Sequence, residues 1–328
     1  MKILITGVHG FVGSNLVDAL KKEHTIYGLD IISPVKEGVQ KTYFWDEIEN
    51  VGSRFNVQCS SDEIPEVDAI IHLAGKAHDT KNKSAADVYF KVNTELTKKI
   101  FDYYLSHPNI KKFVFFSTAK AAADKVDGVL TEDVVPAPVG PYGESKIKAE
   151  KYILEKFNEF KGSSVQENKQ IYIFRPCMIH GPGNKGNLNL LYNVVRRGIP
   201  WPLGAFENRR TFTSIGNICF AVNGVLTKDV PSGIYNMGDD EALSTNELIE
   251  EICKSLGKKA HIWKLPKGLM NGVATIGGFL HLPLNPERLQ KLTENYVSSN
   301  EKIKKALGIE KMPMGAREGL IVTLNSFR

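Results

Sequence analysis

Tyr142 and Lys146 are four residues apart in Tyr142-Gly143-Glu144-Ser145-Lys146, just after a proline-rich loop (Pro136, Pro138, Pro141). Apolar residues then recur at Ile147, Ala149, Ile153, Leu154 and Phe157, so the stretch reads as loop into helix. On a helix the phenol and the ammonium share a face. A positive charge beside a phenol stabilises the phenolate, which makes Tyr142 a candidate general acid/base near neutral pH. The competing reading is an exposed helical tyrosine and an ordinary surface lysine. A second polar pair, Ser117-Thr118, follows the apolar run Phe113–Phe116. A hydroxyl at that strand end could hydrogen-bond a substrate oxygen beside Tyr142.

These groups need a scaffold, and the first 120 residues describe one. Lys2-Ile3-Leu4-Ile5-Thr6 is a buried strand candidate, followed at once by Gly7-Val8-His9-Gly10-Phe11-Val12-Gly13 and a helical pattern through Leu16, Val17 and Leu20. Strand, glycine turn and helix is the context of a dinucleotide-binding fingerprint, here spaced GxxGxxG. Gly7 and Gly10 would let the backbone approach a pyrophosphate; Gly13 would let the helix pack closely, its first amides facing the phosphates. Asp30 ends the next strand, Thr25–Asp30, 17 residues beyond Gly13, where a carboxylate can accept the ribose hydroxyls of NAD. Ile31-Ile32-Ser33 supplies no arginine for a 2′-phosphate, which favours NAD over NADP. A plain strand-ending aspartate is the alternative. Ala69–Gly75 is another buried strand candidate, ending in small residues that leave room for a cofactor. His72 reads as a hydrogen-bonded core histidine; with His78 it forms no metal-ligating set, and no metal is expected.

Further on, the pattern predicts a helix over Ser84–Leu105 containing Asn93, a strand over Lys112–Ser117 and a strand over Ile171–Arg175. Pro176-Cys177-Met178 leaves the sheet, and Asn187-Leu188 opens a helix to about Arg197. The loop Gly204–Phe212 carries Arg209-Arg210. Ser244–Glu247 and Ser298–Glu301 have the spacing of capping boxes, and Gly308 should end the second helix.

The 328 residues, 42% hydrophobic and 24% charged, suffice for a large core in one domain or two lobes. A net charge of +5 without long like-charge runs does not imply nucleic acid. Four scattered cysteines and no signal peptide suggest reduced thiols in the cytoplasm. No integral membrane segment is expected. The longest apolar stretch, Leu269–Leu284, is interrupted by glycines, Asn271 and His281, and weak contact with a membrane surface is its outside possibility.

Together, Thr6–Gly13, Asp30, His72-Leu73-Ala74-Gly75, Asn93, Ser117-Thr118, the Tyr142–Lys146 segment and Arg175-Pro176 resemble the extended short-chain dehydrogenase/reductase family, the NAD-dependent epimerase/dehydratase group acting on nucleotide sugars. The resemblance spans essentially the whole chain. It implies an α/β fold: a Rossmann-like doubly wound parallel sheet over residues 1–176, with 211–238 returning to it, and a smaller UDP-sugar-binding lobe, mainly 177–328. It implies Tyr142 as acid/base, Lys146 on the nicotinamide ribose, and a catalytic hydroxyl at Thr118, with Ser117 competing. Cofactor contacts would come from Gly7, His9, Gly10, Phe11, Val12, Gly13, Asp30, Ile31, Ser60, Ser61, Leu73, Ala74, Gly75, Asn93, Tyr142, Lys146, Pro176 and Cys177. Substrate contacts would come from Lys120, Met178, Asn187, Leu188, Leu203, Arg210 and Arg288. Arg210 would clamp the diphosphate. The plainer alternatives are an N-cap for Asn187, a solvated side chain for Lys120 and a surface helix position for Arg288.

The general plan matches UDP-hexose 4-epimerases. The stretches Gly181–Leu188 and Pro202–Arg210 look more like bacterial enzymes of UDP-N-acetylhexosamine metabolism for surface polysaccharides, some of them 4-keto reductases using NAD(P)H. 4,6-Dehydratases are disfavoured, because Ala119-Lys120 stands where they carry Asp-Glu. Met178 replaces a substrate-binding asparagine, Ala121-Ala122-Ala123 replaces Val-Tyr-Gly, and the acid near the adenine is Ser60 or displaced to Asp62. The family also implies a homodimer through the helices at Ser84–Leu105 and Tyr142–Asn158. The reading from another class is a non-catalytic NAD-binding scaffold or sensor.

Overall fold

The computed structural model describes residues 1–45, 64–76, 85–160, 168–184, 186–279 and 284–328. In chain order they form β1 (Lys2–Thr6), α1 (Phe11–Leu20), β2 (Thr25–Asp30), β3 (Val39–Phe44) and β4 (Ala69–His72). Then come α2 (Ala86–Tyr89), a π-helical segment (Phe90–Glu95), α3 (Leu96–Ser106), β5 (Lys112–Phe116), α4 (Ala119–Ala122), β6 (Val129–Leu130) and α5 (Pro141–Phe160). The next elements are β7 (Gln170–Pro176), β8 (Met178–His180), α6 (Asn187–Arg196), β9 (Phe212–Ser214), α7 (Ile215–Thr227) and β10 (Gly233–Met237). The chain closes with α8 (Thr245–Ser255), α9 (Lys267–Phe279), α10 (Pro286–Thr293), β11 (Val297–Ser298), α11 (Glu301–Leu307) and α12 (Ala316–Asn325).

Seven strands form one parallel sheet in the order β10-β7-β5-β4-β1-β2-β3. The central strands are apolar on both faces; Ile3, Ile5, Ala69, Ile70 and Ile71 have no exposed surface. Unbroken apolar runs rather than alternation are what a parallel sheet covered on both sides requires. One face buries Leu16, Val17, Ile218, Val222 and Ile303 from α1, α7 and α11. The other buries Ile100, Phe101, Tyr104, Ala149 and Ile153 from α3 and α5. A third core, with Leu188, Trp201, Leu248, Ile252, Met270 and Leu320, holds α6, α8, α9 and α12 together as a C-terminal helical region. The chain runs outward from β1 through β2 to β3 and then returns to β4 on the other side of β1, so its winding switches between β1 and β4. Doubly wound folds bind ligands at that switch, beyond the strands' carboxyl ends.

Two local expectations need correction. The helix expected over Ser84–Leu105 is interrupted: among the described residues it starts at Ala86 and widens into π geometry at Phe90–Glu95. Buried Asn93 and Thr94 lie there and bond outside the helix, so their contacts shape the bulge. The second capping box does not form. Ser298 belongs to β11, Asn300 is the N-cap without a side-chain cap bond, and the Glu301 amide bonds Ser299 Oγ at 3.2 Å. Gly308 does end α11 in the left-handed conformation. The first box is complete, with Ser244 and Glu247 each capping the other.

Candidate active site

At the end of β1 the chain turns on Gly7, at φ +70°, and its amide bonds the Leu29 carbonyl at 2.8 Å. A Cβ on Gly13 would meet the Gly7 carbonyl oxygen at 2.4 Å, so only glycine lets α1 start this close to the turn. α1 has Gly10 at its N-cap, no side-chain cap and no acid in its first turn. Its first amides, including those of Phe11, Val12 and Gly13, and its dipole are therefore offered to an anion. Beside it, Asp30 Oδ2 accepts the His9 amide at 2.9 Å and Oδ1 accepts the Ile31 amide at 2.7 Å. These bonds aim a nearly buried carboxylate at the glycine loop. The His9 ring bonds the Thr42 hydroxyl at 3.0 Å, and the Phe11 ring reaches the Gly181–Gly183 turn.

A buried relay joins this cradle to the catalytic side. Thr6 Oγ1 accepts the amides of Leu73 (3.2 Å) and Ala74 (3.1 Å) and lies 2.7 Å from His72 Nδ1. With both lone pairs used, the Thr6 hydroxyl donates to Nδ1, so the imidazole carries its proton on Nε2. Nε2 lies 3.0 Å from Thr97 Oγ1, which donates to the Asn93 carbonyl at 2.7 Å. Burial pushes His72 down to about 3, as a neutral core histidine requires. Asn93 Oδ1 accepts the Lys76 amide at 2.7 Å, and its Nδ2 donates to the Lys76 carbonyl and Ser145 Oγ. A Cβ on Gly75 would lie 2.9 Å from Asn93 Oδ1 and 3.1 Å from Lys146 Nζ. Gly75, Asn93 and Lys146 therefore meet at one point beyond β4.

Tyr142 and Lys146 occupy the first two turns of α5. The Thr118 hydroxyl, at the N-cap of α4, hydrogen-bonds the Tyr142 phenol, and the Tyr89 ring meets the Tyr142 ring edge-on at 6.3 Å. Lys146 Nζ donates to the Phe116 carbonyl at 2.8 Å and lies over the Phe115 ring. Burial lowers the Lys146 ammonium to about 8, opposed by the Glu150 charge. In the protein alone, the expected pull of a neighbouring positive charge on Tyr142 toward the phenolate is outweighed. Burial raises the Tyr142 phenol above its ordinary value, and only the Thr118 bond works the other way. Ser117 is corrected too: its hydroxyl turns from Tyr142 and donates to Glu150. Glu150 also takes Arg175 Nη2 at 2.6 Å and Nε at 3.0 Å in a fully buried pair. Sequence reasoning missed Glu150 as part of the site. Its spacing of four beyond Lys146, on the same helical face, was the available signal.

The expected substrate residues spread over the adjoining lobe. Pro176 ends β7; the Cys177 amide bonds the Met237 carbonyl, and burial pushes its thiol up to about 12. Met178 opens β8, and Leu188 and Leu203 belong to the lobe core. Asn187 is the first helical residue of α6 and exposed; Gly186 is the N-cap, so the capping alternative for Asn187 does not hold. Arg210 bridges Leu243 and Tyr296 by its backbone and donates Nη1 to the Lys291 carbonyl at 2.6 Å, near Cys177 and Glu294. Arg209 diverges to Glu247 at 3.0 Å. Lys120 is tied to Asp124 (2.7 Å to the carbonyl, 3.1 Å to Oδ1) and lies over the Tyr296 ring, with its side chain still partly exposed. Arg288 is exposed on α10. Ser60 and Ser61, with Asp62 and the fourth cysteine, Cys59, lie outside the described residues. Among the described residues, Cys177, Cys219 and Cys253 are free thiols, no acid, histidine or cysteine cluster could hold a metal, and no helix is long and apolar enough to cross a membrane.

A glycine cradle at a helix start, a clamped aspartate and a Tyr-Lys helix at the switch point are the arrangement of a dinucleotide-binding α/β fold. Residues 3–238 match the NAD dependent epimerase/dehydratase family, and the chain belongs to that family. It is 32% identical over 283 residues to UDP-glucose 4-epimerase of Vibrio cholerae, covering 80% of this chain and 78% of that protein. It is 27% identical over 306 residues to N-acetyl-alpha-D-glucosaminyl-diphospho-ditrans,octacis-undecaprenol 4-epimerase of Escherichia coli O157:H7, covering 92% and 84%. The fold matches UDP-glucuronic acid 4-epimerase from Bacillus cereus in complex with NAD, with a TM-score of 0.72, 21% identity, and coverage of 100% of this chain and 98% of that one.

Proposed function

We propose that this protein is an NAD-dependent 4-epimerase of a UDP-hexose or UDP-N-acetylhexosamine, working through a transient 4-keto sugar. The observation that carries the reading is the Thr118–Tyr142 hydrogen bond beside the buried Lys146, with Ala119 and Lys120 in place of an acid. The chain's residues fit NAD: the cradle at Gly7–Gly13 would hold the pyrophosphate, Asp30 the adenosine ribose, and Lys146 with Asn93 the nicotinamide end. Bound there, NAD would supply a reversible hydride acceptor for C4. Tyr142 removes the C4 hydroxyl proton and later gives it back, while Thr118 holds that oxygen in line. Because burial holds the phenol up in the protein alone, with Lys146 already in place, its ionisation relies on the further positive charge that the oxidised nicotinamide would bring. Arg210 reaches the diphosphate by leaving the Lys291 carbonyl.

Residues 1–176 with 211–238 form the cofactor domain in this reading, the remainder of 177–328 the sugar lobe, and two copies pair through α3 and α5. A second reading keeps the C4 chemistry and replaces UDP by a polyprenyl diphosphate; the relative acting on such a lipid aligns with 92% of the chain. The test is to denature purified protein, assay released NAD, and incubate native protein with UDP-N-acetylglucosamine or UDP-glucose without added cofactor. Released NAD and a C4 epimer support the proposal. An empty site and NAD(P)H consumption only with a UDP-4-keto-6-deoxy sugar would replace it by the 4-keto reductase. A biological role surviving Tyr142→Phe would point to the non-catalytic scaffold.

A further inference from the structure

The catalytic account leaves α9 without a role. Its inner face, Met270, Ala274 and Gly277, is buried, and Met270 and Ala274 join the lobe core. A second face is apolar and open: Leu269 is 55% exposed, Val273 44%, Ile276 60% and Phe279 84%. At 100° per residue, Leu269, Val273 and Ile276 fall within about a sixth of a turn, and Phe279 flanks them. Scattered apolar residues need no explanation; a stripe along three turns of one helix does.

Charge is distributed just as unevenly. From Leu256 to Pro286 there is no aspartate or glutamate, while Lys258, Lys259, Lys264 and Lys267 lead into the helix. Trp263, 54% exposed, stands among them. The lysines and the indole are exposed on the approach to α9, with Lys267 on the side of the helix away from the stripe, over the Phe206 ring. An apolar helical face reached through a basic, acid-free approach matches the interface of an anionic bilayer, where acyl chains take the stripe and headgroups take the ammonium groups. The helix has 13 residues, too few to cross the hydrocarbon, so it would lie in the surface plane. We propose that α9 and its lysine-rich approach dock this protein on an anionic lipid surface.

Docking is read without substrate, so its failure is separable from failure of the epimerase reading. The full-length protein is sedimented with phosphatidylcholine vesicles, with and without phosphatidylglycerol, at low and high salt. The expected result is co-sedimentation with the phosphatidylglycerol vesicles that weakens with salt. Ile276→Glu/Phe279→Glu should lower the apparent partition at least about tenfold, with released NAD and circular dichroism unchanged. Lys264→Gln/Lys267→Gln should lower it less and flatten the salt dependence. Protein left in the supernatant with both vesicle types, equal binding to pure phosphatidylcholine, or apolar-face variants that bind like the parent would each overturn the proposal. So would a vesicle-free dimer that the Glu variants split, which would make the stripe a subunit contact.

Discussion

With its ammonium between the Phe115 ring and the Phe116 carbonyl, Lys146 holds its proton less tightly than a surface lysine, down to about 8. The unfolded chain keeps that proton to about 10.5, so between these values it binds more protons and stability rises with pH; the cost of the buried charge is fully present below about 8. Lys146→Met should therefore raise the urea midpoint at pH 7, with the gain over the parent narrowing toward pH 10, while turnover is lost; an unchanged midpoint at pH 7 would contradict this. His72 works at the other end. Its folded value near 3 lies below the unfolded 6.5, so stability is lost as pH falls through that window. In His72→Gln the urea midpoint should fall less steeply between pH 6.5 and 4. Tyr142 and Lys146 were legible as a pair from residue type and spacing, and Ser117-Thr118 only as a pair of hydroxyls at a strand end. Glu150 was not, because in a helix also carrying Glu144 and Glu155 it reads as one more solvated acid, and its partner Arg175 is 25 residues away. The choice between Ser117 and Thr118 needed the structure, because the direction of each hydroxyl is decided by what α5 places opposite it.

At the scale of elements, the strand–glycine–helix start and the Ser244 box were readable because each is held by contacts within a few residues. Ser244→Ala should cost about 1 kcal/mol, measured as a denaturant midpoint, since it removes the side-chain bond to the Glu247 amide, while the backbone N–H of residue 244 still donates to the Glu247 carboxylate. Gly13→Ala would force its Cβ against the Gly7 carbonyl, and it should empty the protein of NAD while the separate C-terminal core stays folded. Full NAD content in that variant would show that the turn can relax. The π segment was invisible beforehand, because nothing in Phe90–Glu95 breaks the helical period. Its cause is tertiary: Asn93 and Thr94 bond Lys76, Ser145 and the Ser145 carbonyl. The failed cap at Ser298 has the same kind of cause. The Ser298 amide is taken by Thr211 Oγ1 and its backbone by the strand pairing with β6, so the helix starts later.

On the scale of the whole molecule, the parallel sheet follows from apolar runs that need covering on both faces, and the site lies where the chain reverses beside β1. The C-terminal lobe was less legible. Its core gathers Leu188, Trp201, Leu243, Ile249 and Leu324 from segments over 130 residues of chain, and no local period marks them as neighbours. The same distance hides how Lys120 and Arg210 come to share the Tyr296 neighbourhood. All of these parts serve one claim, that a hydride leaves C4 and returns to it within a closed site. The most direct measurement is therefore incubation with UDP-N-acetylglucosamine or UDP-glucose in D2O, without added cofactor, and NMR of the products. The account predicts a C4 epimer that keeps protium at C4, because the hydride never exchanges with solvent. Deuterium at C4, or no epimer from either sugar in protein shown to contain NAD, would contradict it.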